Sequence, residues 1–182
     1  MRNYVFIITI FLFASNFVFS QSKTLHNFKA KDIDGKDFNF SQLKGKKIIL
    51  VNTASKASYT PQYEKLEEIY RKYNKKLVVV AFPSNDFLKQ EPESNKKIKS
   101  FCKREFGVTF PLMSKISVKG EEIHPIYKWL TQKSENGVLD TKIRWSFQKF
   151  LIDEKGHLVK KVNPSTSPDD EEIINWIEGK SF

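Results

Sequence analysis

An alternation of strand, helix and strand limits most tightly how this chain can fold. The segments 48–51 and 77–82 are continuous apolar runs with many β-branched residues, which is typical of strands buried on both faces of a sheet. Between them, apolar side chains recur at helical spacing after Pro61, which suits a first helical turn. These side chains are Tyr63, Leu66, Ile69, Tyr70 and Tyr73. The pattern predicts a βαβ unit.

Antiparallel hairpins flank this unit. Residues 25–40 alternate apolar and polar side chains around Asp34-Gly35, a strong signal for a tight turn between two strands. Residues 147–152 and 157–162 form a second such pair around the turn at 153–156. A βαβ core with hairpins at its edges predicts a three-layer α/β/α sandwich with a central mixed sheet and an N-terminal β-hairpin. The thioredoxin-like arrangement is one such fold.

Three further helices are predicted from spacing and capping signals. Ile98, Phe101, Cys102 and Phe106 share one apolar face of a helix that ends at Gly107. A second helix covers residues 123–131. The last one takes Ser167-Pro168 as its cap and first turn, with acidic residues 169–172 near the positive end of its dipole.

The N-terminus has the pattern of a secretory signal. Arg2 precedes an apolar run over residues 5–14, and small residues follow up to Ser20. We therefore expect residues 1–20 to be a signal peptide and residues 21–182 to be one domain, exported to the periplasm or secreted. No stable membrane span is expected after cleavage, and an uncleaved N-terminal anchor is the alternative.

Composition excludes several other functions. The net charge of +10 comes mainly from lysines scattered along the chain, without a nucleic-acid recognition motif, so no nucleic-acid partner is expected. The three histidines lack neighbouring ligands at metal-binding spacing, so we expect neither a metal nor another cofactor. The single cysteine, Cys102, cannot form a disulfide within the chain. Oligomeric state has no signature in the sequence.

Three segments resemble, in order and approximate spacing, the signatures of glutathione peroxidases. They are Val51-Asn-Thr-Ala-Ser-Lys-Ala-Ser-Tyr-Thr-Pro-Gln-Tyr63, Phe82-Pro-Ser-Asn-Asp-Phe-Leu-Lys-Gln-Glu-Pro92 and Trp145-Ser-Phe-Gln-Lys-Phe150. The likeness extends over roughly residues 25–178. It implies a thioredoxin-like fold and reduction of hydroperoxides by a thiol, so the implied partners are a hydroperoxide and a thiol reductant, thioredoxin or glutathione.

The resemblance also implies the site residues, and here the chain departs from the family. Ala57 stands where the family has its reactive cysteine or selenocysteine. Gln90 and Trp145 match two hydrogen-bond donors of the family's site, and Ser146 takes the place of the asparagine. Loss of a covalent nucleophile commonly lowers a rate on the order of a millionfold. We therefore expect weak or absent peroxidase activity and a binding or scaffold role.

The sequence leaves two alternatives open. Cys102 falls where thioredoxin-dependent members carry a resolving cysteine, and the chain would be an active thiol peroxidase if that thiol reacted with peroxide. Its position on an apolar helix face favours an inert, buried thiol instead. Alternatively, Ala57 is an introduced replacement in an ordinary enzyme. Because Ser58 and Ser146 also depart from the family pattern, natural divergence is the better explanation.

Overall fold

In the computed structural model, which describes residues 23–180, a mixed four-stranded sheet lies beside a separate N-terminal hairpin. The six strands are β1 (Lys29–Lys31), β2 (Asp37–Asn39), β3 (Lys47–Thr53), β4 (Leu77–Pro83), β5 (Lys149–Ile152) and β6 (Leu158–Val162). The central sheet has the order β4-β3-β5-β6, in which β3 pairs with β4 in parallel and with β5 antiparallel. The predicted mixed sheet and both predicted hairpins are confirmed.

The four predicted helices follow the strands in the predicted order, and a further short helix at residues 133–136 was not predicted. They are α1 (Gln62–Lys72), α2 (Asn95–Phe106), α3 (Pro125–Thr131), α4 (Lys133–Asn136) and α5 (Glu171–Glu178). Helix α1 begins directly after Pro61, and α2 ends at Gly107, which has a left-handed φ of 61°. Glycine adopts this conformation without steric penalty, so the predicted end of α2 is confirmed.

Two hydrophobic cores sandwich the sheet, because successive side chains of a strand point to opposite faces. Ile49 and Val51 of β3 pack with side chains of α1, α2 and α5. Ile48 and Leu50 pack on the other face with α3 and with the 3-10 turn Phe40–Leu43. The chain therefore has the predicted thioredoxin-like three-layer α/β/α fold.

Three local predictions are corrected. Leu25–Asn27 forms a 3-10 turn, so the first strand begins only at Lys29. Helix α3 begins at Pro125 rather than at residue 123. The cap of α5 is Asp170, not Ser167-Pro168, because the Asp170 carboxylate accepts a hydrogen bond from the Glu172 N–H at 3.0 Å.

The predicted signal peptide lies outside the described residues. Within residues 23–180, no helix is both long enough and apolar enough to cross a bilayer.

Candidate active site

Three chain segments meet at one edge of the sheet. Parallel strands β3 and β4 end there, and β5, which runs antiparallel to β3, begins there. This arrangement brings together the loops that carry Ala57, Gln90 and Trp145. These are the three segments that the family resemblance assigns to the site.

The loop after β3 folds into a tight turn around Ala57. The Thr60 hydroxyl donates hydrogen bonds to the carbonyl oxygens of Ala54 at 2.9 Å and Ala57 at 2.7 Å. Ala57 is only 8% exposed and belongs to the same hydrophobic core as Tyr63 and Cys102. Its methyl group therefore contributes to the core just ahead of helix α1.

A buried carboxylate fastens this loop to the loop after β4. Glu91 accepts hydrogen bonds from the Ser55 N–H at 2.8 Å and from the Ser55 hydroxyl, while its own N–H donates to Asn85 Oδ1 at 2.9 Å. The Lys56 N–H adds a bond to the Gln90 carbonyl oxygen at 3.1 Å. Burial raises the pKa of Glu91, and the hydrogen bonds from Ser55 offset part of this rise. The two loops are thus held in register.

Backbone strain precedes Gln90. Leu88 and Lys89 both have left-handed φ angles, 47° and 52°, which side chains other than glycine rarely adopt. The Gln90 N–H closes the turn on the Phe87 carbonyl oxygen at 3.0 Å. Gln90 Oε1 is buried and has no hydrogen-bond partner among residues 23–180. Such strain persists where surrounding contacts enforce it, and it clusters at functional sites.

The third segment joins the site from the start of β5. The Asn52 side-chain amide donates to the Trp145 carbonyl oxygen at 3.0 Å, and the rings of Trp145 and Phe87 lie 5.8 Å apart. Ser146 is fully buried, and its hydroxyl lacks a hydrogen-bond partner in the described part of the chain. Trp145 therefore contacts the loop of Gln90, and Ser146 lies inside the fold beneath it.

An open cleft of about 440 Å³ lies at this edge. It is lined by Ser58, Tyr59, Trp145 and residues 163–165. The residue next to Ala57 and the predicted tryptophan thus share one cleft. Gln90, Ser146 and Cys102 do not line it.

The Cys102 thiol lies in the protein interior. It is fully buried in the core that also contains Tyr63 and Ala57. Burial raises the pKa of Cys102 to about 11, and the negative charge of Glu91 acts in the same direction. A thiol in this environment is protonated at neutral pH and has no access to solvent.

Sequence reasoning missed the residues that fasten the site. The family resemblance assigns a site role to none of Ser55, Gln62, Glu91 and Lys149. All four residues lie within the three segments that resemble the family, and this is the signal in the sequence that points toward them.

The fold and the edge site define a thioredoxin-like protein with a strand-to-helix turn at its centre. The family model described as Glutathione peroxidase matches residues 25–131. A glutathione peroxidase homolog BsaA of Halalkalibacterium halodurans is 44% identical over 146 residues, covering 80% of this chain and 92% of that protein. The glutathione peroxidase-like peroxiredoxin 2 of Saccharomyces cerevisiae is 44% identical over 154 residues, covering 82% and 94%.

A solved structure agrees with these relatives. The crystal structure of Trgpx in apo form superposes with a TM-score of 0.67 at 34% identity, covering 87% of this chain and 97% of that one. The chain belongs to the glutathione peroxidase family.

Proposed function

We propose that this chain is a member of the glutathione peroxidase family that has lost the usual peroxidase step and acts by binding at the cleft beside Trp145. The observation that carries the proposal is Ala57, which stands where the family's reactive sulfur or selenium is expected. A methyl group cannot accept oxygen from a peroxide. The hydroxyl of neighbouring Ser58 is no substitute, because its proton is far harder to remove than that of a thiol.

The cleft supports a binding role. A family member would bind a hydroperoxide and a thiol reductant, and the volume of about 440 Å³ is in the range of small-molecule sites. Trp145 offers an aromatic surface there, and Ser58 offers a hydroxyl. The substrates of the family are therefore the first candidates for ligands of this cleft.

The test is a peroxidase assay on a series of variants. We expect the unaltered protein and Ala57→Ser to leave hydroperoxide unconsumed with thioredoxin or glutathione as reductant. Ala57→Ser is the matched control, because it places a hydroxyl where Ala57→Cys places a thiol, and the hydroxyl does not react with peroxides. Ala57→Cys should recover part of the activity, and adding Ser146→Asn should recover more, since it restores the amide of the family's site.

Ordinary peroxidase turnover by the unaltered protein would refute the proposal. If Ala57→Cys and its double variant with Ser146→Asn both stay inactive while folded, the rest of the site has diverged as well. In that case, Ala57 alone would not explain why the unaltered protein lacks peroxidase activity.

The alternative, a peroxidase that uses Cys102, is not favoured. The thiol is fully buried and its pKa is raised to about 11, whereas reactive thiols are partly exposed and have lowered pKa values.

We also propose that the protein is exported and that its signal peptide is removed near Ser20. The proposal rests on the charged and apolar pattern of residues 1–20. Mass spectrometry of protein recovered from the producing cells would test it. A mature chain starting close to residue 21 supports export, and retention of Met1 on a cytoplasmic protein contradicts it.

A further inference from the structure

Lys149 is a fully buried lysine at the start of β5. Its ammonium donates hydrogen bonds to three neutral acceptors: Gln62 Oε1 at 2.8 Å, the Phe147 carbonyl oxygen at 2.9 Å and the Pro164 carbonyl oxygen at 3.1 Å. An ammonium group has three N–H donors and no acceptor. The number of acceptors therefore matches the protonated form, and a neutral amine would leave one of them without a donor.

No carboxylate accompanies this charge. Within residues 23–180 no acidic side chain forms an ion pair with Lys149, and burial alone lowers its pKa to about 7. A buried charge without a counterion is expensive, and native proteins rarely keep one unless it has a role. A contribution to stability therefore does not account for a lysine at this position.

The Phe147 carbonyl oxygen belongs to a strained turn. Phe147 has a left-handed φ of 63°, a rare conformation for a bulky aromatic residue, and its N–H donates to the Asn52 carbonyl oxygen at 2.5 Å. Its carbonyl oxygen faces Lys149. Hydrogen bonds on both sides of this residue hold the turn that presents Trp145 and Ser146 at the site.

The Pro164 carbonyl oxygen belongs to a loop that lines the cleft. The Pro164 carbonyl oxygen receives a bond from Lys149 and another from Gln62 Nε2 at 2.7 Å. Pro164 lines the cleft, and Gln62 is the first residue of α1, shortly after Ser58 and Tyr59. The same ammonium thus touches the Trp145 turn, the Pro164 loop and the start of α1.

We propose that Lys149 is a positioning residue of the cleft, which clamps the turn 145–147 and the loop 163–165 in their relative arrangement. This inference deepens the proposed binding role, since it concerns the same cleft. Its test requires neither ligand nor activity, so its failure is distinguishable from a failure of the peroxidase assays.

Amide NMR spectra recorded between acid and alkaline pH provide the test. In the unaltered protein, the amide signals of Phe147 and Ser165 and the indole signal of Trp145 should move together, with one midpoint near the lowered pKa of about 7. Lys149→Met should abolish this common transition and displace all three signals at neutral pH. Lys47→Met is the matched control, because Lys47 is a mostly buried lysine in the same sheet that donates to the Trp176 carbonyl oxygen far from the cleft.

Two results would overturn the proposal. One is a folded Lys149→Met variant in which only one of the two segments moves, or neither. The other is a transition that persists in this variant, which would assign it to a histidine. If Lys149→Met does not fold, direct NMR detection of the lysine amines in the unaltered protein decides. If the Lys149 amine titrates together with the Phe147 and Ser165 signals, at whatever pH the midpoint falls, the positioning role is supported; if Lys149 titrates without moving either signal, the role is refuted.

Discussion

The inertness of Cys102 can be worked out from its surroundings. Only the thiolate reacts with peroxides and disulfide reagents. At pH 7, an ordinary thiol with a pKa of about 8.5 is roughly 3% ionised, whereas a pKa of about 11 leaves roughly 0.01% as thiolate. Ionisation alone thus slows the reaction by about 300-fold. Because the side chain is fully buried, reaction also requires local opening of the fold.

The assay is labelling with a disulfide reagent such as dithionitrobenzoate, in native buffer and in denaturant. We expect the native thiol to react at least about 1,000-fold more slowly than the denatured one, because burial adds to the ionisation effect. Ser100→Cys is the control, since residue 100 is exposed on the same helix α2. In this variant, the introduced thiol at position 100 should be labelled quickly and Cys102 should remain unlabelled on the same time scale. Fast labelling of native Cys102, or a sulfenic acid trapped on it after peroxide treatment, would refute this reasoning. Either result would support the alternative, a thiol peroxidase that uses Cys102.

Three further predictions concern stability, all measured by denaturant unfolding. Glu91→Ala should lower the free energy of unfolding by about 2–3 kcal/mol because it leaves the Ser55 N–H without an acceptor, whereas Glu91→Gln should stay within about 1 kcal/mol; equal losses would contradict the hydrogen-bond argument. Leu88→Asn should raise this free energy by about 0.5–1 kcal/mol, since asparagine tolerates a left-handed φ better and Leu88 is 76% exposed; a loss would show that the leucine contributes contacts. Between the folded pKa of Lys149, about 7, and the unfolded value of about 10.4, the free energy of unfolding should rise with pH by up to about 1.4 kcal/mol per unit, because the folded chain has released a proton that the unfolded chain still holds. Lys149→Met should flatten this slope, and an unchanged slope would assign the proton to another group.

The fold was predictable because its main elements carry local signals. The apolar run of β3 and the spacing of α1 are each contained in about ten residues, so their type follows without knowledge of distant contacts. The cap of α5 was mispredicted for a related reason. Both Ser167-Pro168 and Asp170 are good helix-start signals, and only the backbone geometry decides between them.

The candidate site was predictable only in part, for the same reason. Ala57 and Trp145 could be assigned to one site from the family resemblance, and the sheet explains their proximity, because β5 begins at the edge where its antiparallel neighbour β3 ends. The contacts that hold the loops together could not be predicted, because Ser55 and Glu91 are separated by 36 residues and Gln62 and Lys149 by 87. No periodicity connects residues so far apart. A buried lysine within an apolar strand even contradicts the expected pattern, and such local conflicts are where a functional constraint is expected. Lys149 breaks the apolar pattern of β5 and contacts the Pro164 loop of the cleft, so it is a better indicator of the site than the apolar residues of the same strand.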